Sequence, residues 1–145
     1  MSEVKKKFHV FGELVEILVT SAETNGSFCV LRQYSGPGGG PPPHAHANED
    51  ELFTVIQGEF EIFDGRKWHP LDGMQNAFTL RGQVHTFRNR GAEMGCIQTT
   101  VIPGGLDIYL EELSKLPMPP EMNRVIDISA PYGITFLPAE KPLDA

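Results

Sequence analysis

The chain has 145 residues, enough to bury one sizeable hydrophobic core and short for two. Its formal net charge is −7, from 12 Lys and Arg against 19 Asp and Glu, which excludes nucleic acid and anionic membrane surfaces as natural partners. No window approaches the roughly 18 apolar residues of a membrane span, and the stretch after Lys5-Lys6-Lys7 carries His9, Gly12, Glu13 and Glu16 where a signal peptide would be apolar. The expectation is a cytoplasmic, single-domain protein whose lysine cluster is a solvated tail.

Phe8 to Thr20 mixes β-branched and aromatic residues with polar ones and predicts one or two strands broken near Gly12. Ser21 to Gly26 is turn chemistry, and Ser27 to Tyr34 predicts another strand. Ser35 to Pro43, SGPGGGPPP, has the composition of a linker, but too few strands precede it to form a domain. It is therefore read as a loop that positions a site. His44-Ala45-His46 follows at once, and Glu51 to Gln57 alternates Glu51, Phe53 and Val55 against Leu52, Thr54 and Ile56. Beyond Gly58, Glu59 to Phe63 predicts a strand. Asp64-Gly65 then predicts a two-residue hairpin with Arg66 to His69 returning, and Pro70 to Gly73 a turn. Short strands are expected at Ala77–Leu80 and Val84–Asn89, and a longer one at Gly95–Ile102. Cys29 and Cys96, far apart in apolar runs, are read as buried free thiols.

The pattern then changes. Leu106, Tyr109, Leu110, Leu113 and Leu116 recur at helical spacing and predict an amphipathic helix ending at Pro117. A second helix is expected from about Pro120 to Ala130, with Met122, Val125, Ile126 and Ser129 along one side. The fold class is all-β, a barrel over about residues 8–103 with a helical tail over about 105–133, in one domain spanning 1–145.

Extended backbone at His44 and His46 places both imidazoles on one face, and Glu51 and His85 add a carboxylate and a third imidazole. Three nitrogens and one oxygen suit one divalent transition metal, Fe, Mn, Ni, Co, Cu or Zn, better than Mg or Ca, which prefer oxygen shells. Phe53 and Val55 share the face of Glu51, and Phe87 that of His85, giving an apolar cup that excludes water. His9 and His69 lack such company and are read as surface or turn residues.

These residues resemble the cupin family. Its first motif is matched by Gly38, His44, His46, Glu51 and Gly58 at the family's spacing. The second is matched by Gly82, His85 and Asn89, with Leu80 in place of a proline and Gly73 displaced by one residue. The resemblance implies a cupin-type double-stranded β-helix, a jelly-roll barrel, holding a metal through His44, His46, Glu51 and His85. The departures fall on the turn before His85. Within the family the stretch from Gly38 to Phe63 and the helical tail look most like quercetinase-like dioxygenases. That implies an oxidoreductase acting on a small aromatic or enol-type substrate, walled by Phe53, Val55, Phe87 and Tyr109, with Glu51 also accepting a proton. A non-catalytic binder of small molecules or metal, and a metal-assisted isomerase or lyase, are the alternatives. A homodimer is expected from the family, helped by the outward apolar residues Leu52 and Ile56.

Overall fold

A computed structural model describes residues 3–137. Within them, eleven strands and two helices come in the order β1 (Lys6–Val10), β2 (Glu13–Val19), β3 (Cys29–Ser35), β4 (His44–His46), β5 (Asp50–Gln57), β6 (Glu59–Phe63), β7 (Trp68–Asp72), β8 (Asn76–Thr79), β9 (Thr86–Asn89), β10 (Gly95–Ile102), α1 (Leu106–Ser114), α2 (Met122–Ser129) and β11 (Ile134–Phe136). A six-stranded antiparallel sheet runs β1-β2-β3-β10-β5-β8. A three-stranded sheet, β7-β6-β9, and the pair β11-β4 complete the barrel.

Period-two patterning decides which way each strand faces. On β5, Glu51, Phe53 and Val55 are buried while Leu52 is exposed, as the alternation predicts. The apolar interior falls into two clusters. One joins Val15, Ile17, Leu31 and Val101 to Leu106, Tyr109, Leu110 and Leu113 of α1, and the other gathers Val55, Phe60, Leu71 and Ile97 around Phe53 and Phe87. Each large side chain taken fully out of water contributes about 1.5–3 kcal/mol, so α1 is held by its four-residue stripe rather than by intrinsic helicity. Its start is tied down as well: Ser21 N–H and Oγ–H both donate to buried Asp107, at 2.9 and 2.5 Å.

Several local expectations change. Lys6 and Lys7 lie in β1 instead of a free tail, and Lys5 and Lys6 pair with Glu23 and Glu111 at 3.1 and 2.9 Å. The hairpin after β6 has four loop residues rather than two, because Asp64 Oδ1 accepts from both Arg66 N–H and Lys67 N–H and holds a wider turn. β7 then runs through Pro70, tolerable because β7 is the edge of its sheet and proline's missing donor interrupts no second ladder. In α2, Val125 and Ser129 are buried but Met122 and Ile126 are exposed, since only half of the expected stripe meets α1 and β11. Cys29 and Cys96 are buried free thiols. Among the described residues no helix is long and apolar enough to cross a membrane.

β11, absent from the sequence-based reading, bears directly on the histidine strand. A 3-10 turn at Ala130–Tyr132 and Gly133, in the left-handed conformation at φ 73°, reverse the chain after α2. β11 then pairs with β4, Ile134 opposite His46 and Phe136 opposite His44. The helical tail is thus a strap that returns a strand to β4.

Candidate metal centre

Four buried donor atoms, from His44, His46, Glu51 and His85, lie within 4.8 Å of one another. β4 supplies the first two, β5 the third, and the turn entering β9 the fourth. Backbone pairing sets the spacing: His44 N–H donates to His85 O at 3.0 Å and His85 N–H returns to His44 O at 2.9 Å, which puts the two imidazoles side by side. Their ring centroids are 4.5 Å apart.

The loop before β4 is built to reach this point. Gly38 N–H donates to Asn89 O and Asn89 N–H to Gly39 O, while Thr86 Oγ–H donates to Pro41 O. The glycine-proline run is therefore zipped along β9. Gly40, at φ 150°, passes so close to Phe87 O that any Cβ would collide with it. The turn at Leu80, where the motif it resembles has a proline, is secured by other contacts. Gly82 N–H donates to His46 O at 2.7 Å, and Asp50 accepts from Arg81 N–H, Nε and Nη2 at 2.8, 3.2 and 3.1 Å. A backbone contact and a forked ion pair do the work of the missing ring.

Each imidazole has its Nδ1 occupied. His44 Nδ1 faces Pro42 O at 2.7 Å, His85 Nδ1 faces Gln83 O at 3.0 Å, and His46 Nδ1 faces Glu49 Oε1 at 3.3 Å. Donation from Nδ1 leaves the Nε2 lone pair for the centre, the arrangement that orients histidine ligands. At the centre the groups crowd without pairing. Glu51 Oε1 lies 2.8 Å from His85 Nε2 and 3.3 Å from His46 Nε2, yet both Glu51 Oε1 and His85 Nε2 are buried without a hydrogen bond among the described residues. Buried polar atoms are rarely left unpaired, and two that face one point are what a cation would satisfy. The donor set, three nitrogens and a carboxylate oxygen, fits a first-row divalent ion.

Electrostatics favour the ligand forms. Burial, followed by the positive potential of His85 and His46 when charged, lowers the His44 pKa to about 3, so its ring is neutral. Burial alone would raise Glu51, but His46 and then His85 override it and hold the carboxyl at about 2. His46 moves the other way: burial opposes its charge, yet Glu51 and Glu49 outweigh burial and raise its pKa.

The centre opens on a cavity of about 290 Å³, near the lower bound for small-molecule sites. Phe53, Phe87 and Tyr109 line it. Tyr109 offers its ring, because its hydroxyl is engaged with Ser129 Oγ at 2.6 Å. Val55 is on the same face of β5 but not on the wall. One pleat deeper than Phe53, it is closed off by the second apolar cluster and fully buried there. His9 is exposed and His69 pairs with Asp64 at 2.7 Å, both away from the centre. The sequence reading missed Glu49, legible only as one of three consecutive acids, and the β11 residues Ile134 and Phe136, which also line the cavity.

Residues 32–102 match the family model described as the cupin domain. A conserved double-stranded β-helix protein from Klebsiella pneumoniae shares 26% identity over 64% of this chain and 78% of its own, with a TM-score of 0.57. An RmlC-like cupin from Shewanella frigidimarina, at 18% identity, covers 74% of this chain and 89% of its own at TM-score 0.60. A predicted oxalate decarboxylase from Thermotoga maritima, at 24%, covers 70% and 94% at TM-score 0.59. No curated protein sequence matches the chain.

Proposed function

Starting from a cupin domain over residues 32–102 in a chain with the double-stranded β-helix fold, we propose that this protein is a metal-dependent dioxygenase acting on a small aromatic or enol-type substrate. The observation that carries the metal is the pair of orphaned atoms, Glu51 Oε1 and His85 Nε2, inside a four-donor cluster at the base of an apolar cavity. When bound, a divalent transition metal supplies Lewis acidity toward a substrate oxygen and, if redox-active, electrons for dioxygen. The oxygen chemistry is supported by the resemblance of the Gly38–Phe63 stretch to quercetinase-like enzymes.

The protein's own residues bind and dry the substrate. Phe53 and Phe87, with ring centroids 5.9 Å apart at 59°, present an aromatic corner to a planar molecule, and Tyr109 closes the side formed by α1. Phe136 packs 6.0 Å from the His44 ring and keeps water from that side. Glu51 is the carboxylate of the donor set and receives the substrate hydroxyl proton. Its carboxyl is held at about 2, so it meets the substrate ionised, with a lone pair free to take that proton.

Two copies of the chain associate in this reading. Leu52 and Phe78 are register partners on the outer face of β5 and β8, 36% and 55% exposed, and β8 is the edge of its sheet among the described residues.

Protein loaded in turn with Fe(II), Ni(II) and Mn(II) is tested by oxygen uptake on a flavonol, catechols and β-diketones, with His85→Ala as control. Metal-dependent oxygen consumption is expected. Turnover without oxygen would establish isomerase or lyase chemistry instead, and saturable binding without turnover a binding protein.

A further inference from the structure

The polar residues of the cavity wall are not scattered. Glu13, Gln33, Thr99 and Glu51 all line it, and they come from four adjacent strands, β2, β3, β10 and β5. Val15 is opposite Gln33, Ile97 opposite Gln33, Leu31 opposite Thr99, and Thr99 opposite Phe53. Each polar residue is therefore displaced by one strand and two residues from the last, always in the same sense. Such diagonal neighbours are about 7–8 Å apart, within reach of a ligand's next functional group. The result is a straight polar file across the wall, starting at Glu51 beside the imidazoles of His44 and His46 and flanked by apolar side chains.

Thr99 is the informative member. Its side chain is 2% exposed and Oγ1 has no hydrogen-bond partner among the described residues. A valine has the same shape and would fill the position without the cost of a buried, unpaired hydroxyl. At the far end Glu13 Oε1 accepts from Ser35 Oγ at 3.0 Å, and Gly39 lies directly against Oε2, where a Cβ would collide. The glycine loop leaves room for that carboxyl group to face the cavity. Burial outweighs the Ser35 hydrogen bond and raises the Glu13 pKa.

We propose that Thr99, Gln33 and Glu13 form the specificity edge of the cavity. They would select ligands that chelate the metal through oxygen at one end and carry a neutral hydrogen-bonding tail, such as an amide or hydroxyl, along this file. The inference rests on the metal centre proposed above and adds the ligand's second half. Thr99 reads the group nearest the chelating oxygens, Gln33 the next, and Glu13 the end of a longer molecule.

The test uses the full chain loaded with Co(II) and three catechols as probes: 4-methylcatechol, 3,4-dihydroxybenzamide and 3-(3,4-dihydroxyphenyl)propanamide, each titrated calorimetrically. The wild type is expected to bind 3,4-dihydroxybenzamide about tenfold tighter than 4-methylcatechol, the worth of one added hydrogen bond. Thr99→Val is expected to remove that preference while keeping Co(II) stoichiometry, and to leave the thermal midpoint of the metal-free protein equal or higher. A merely structural threonine would lower it. With the longer amide, dependence should move to Gln33→Leu. Failure of the wild type to take up Co(II) would overturn the metal centre and this inference with it. Co(II) uptake with no probe binding, or with affinities indifferent to the tail or to Thr99→Val, would overturn this inference alone.

Discussion

Ile134 sits opposite His46 in the antiparallel pairing of β11 with β4, so the last described strand is the hydrogen-bonded neighbour of the strand that carries two candidate metal ligands. His46 O also accepts from Gly82 N–H, from the turn that leads to His85. The histidine strand is thus clamped from both sides. The helices, remote in sequence from the barrel motifs, become structural support for the centre.

That clamp can be opened without touching a ligand. Gly133 holds φ 73° and a Cβ there would press on Asn48 Nδ2. Gly133→Val, β-branched in the left-handed region, should displace β11 and weaken metal binding by at least tenfold while the six-stranded sheet survives. Metal titration beside far-ultraviolet circular dichroism checks both halves. Unchanged affinity would show that β11 does not support the centre.

Glu49 orients His46 through Nδ1. Glu49→Gln keeps the size and removes the charge. It should cost about 10–100-fold in metal affinity, the usual effect of losing a partner behind a histidine ligand. A competition titration with a coloured chelator measures it, and His46→Ala in parallel sets the scale of outright ligand loss.

Acid should act on the metal-free protein in two stages. His44 has its folded pKa lowered from about 6.5 to about 3, so the unfolded chain binds a proton that the folded one refuses. Stability from this group is present above about 6.5 and is lost as pH falls toward 3. Glu51 is lowered from about 4.5 to about 2, and its contribution is lost over that lower window. His46, raised, has the opposite sign: its contribution is full below its ordinary value and fades as pH rises through the raised one. Metal must displace that His46 proton, so metal affinity should climb with pH through the same range, and proton release on metal addition, read by calorimetry in two buffers, should fall as it does. Proton release independent of pH would contradict the assignment.

Phe78 and Leu52 face each other on the outer surface of β8 and β5. Phe78→Glu should convert a dimer to a monomer in light scattering, with the metal content unchanged. A wild-type monomer at all concentrations would remove the dimer from the account.

The forked pair between Arg81 and Asp50 offers a test of how the turn before His85 is held. Asp50 is only partly exposed, and its carboxyl is lowered by the hydrogen bonds from Arg81. Asp50→Ala should raise the metal dissociation constant several-fold, mainly through His85, because three hydrogen bonds position the turn that leads to that ligand. Arg81→Lys should recover only part of the loss, since an ammonium cannot make the fork.

The strands were legible because their burial alternates. On β5 the sequence places Glu51, Phe53 and Val55 on one face, and period-two geometry leaves no other choice for a half-buried strand. The candidate donor cluster was legible because His44 and His46 share that period and because the motif spacing carries Glu51 and His85 with them. β11 was not, since three residues after a glycine carry no periodicity, and only a long-range partner makes Ile134–Phe136 a strand. The same limit hid the hairpin's true length, which Asp64 fixes through side-chain bonds to the backbone, and the depth of Val55, which depends on what closes the barrel beneath it.

By itself the sequence determined the chemistry available: three imidazoles and a carboxylate in strands, a glycine-proline loop before them, and an amphipathic helix after them. Local period and residue type are properties of neighbours along the chain, so they are readable there. The tertiary structure alone decided that the helices return a strand to His44 and His46, that Glu51 Oε1 and His85 Nε2 meet unpaired, and that Glu13, Gln33 and Thr99 form one file with Glu51. Those are facts of register between strands distant in sequence, and register is set by packing the whole barrel at once.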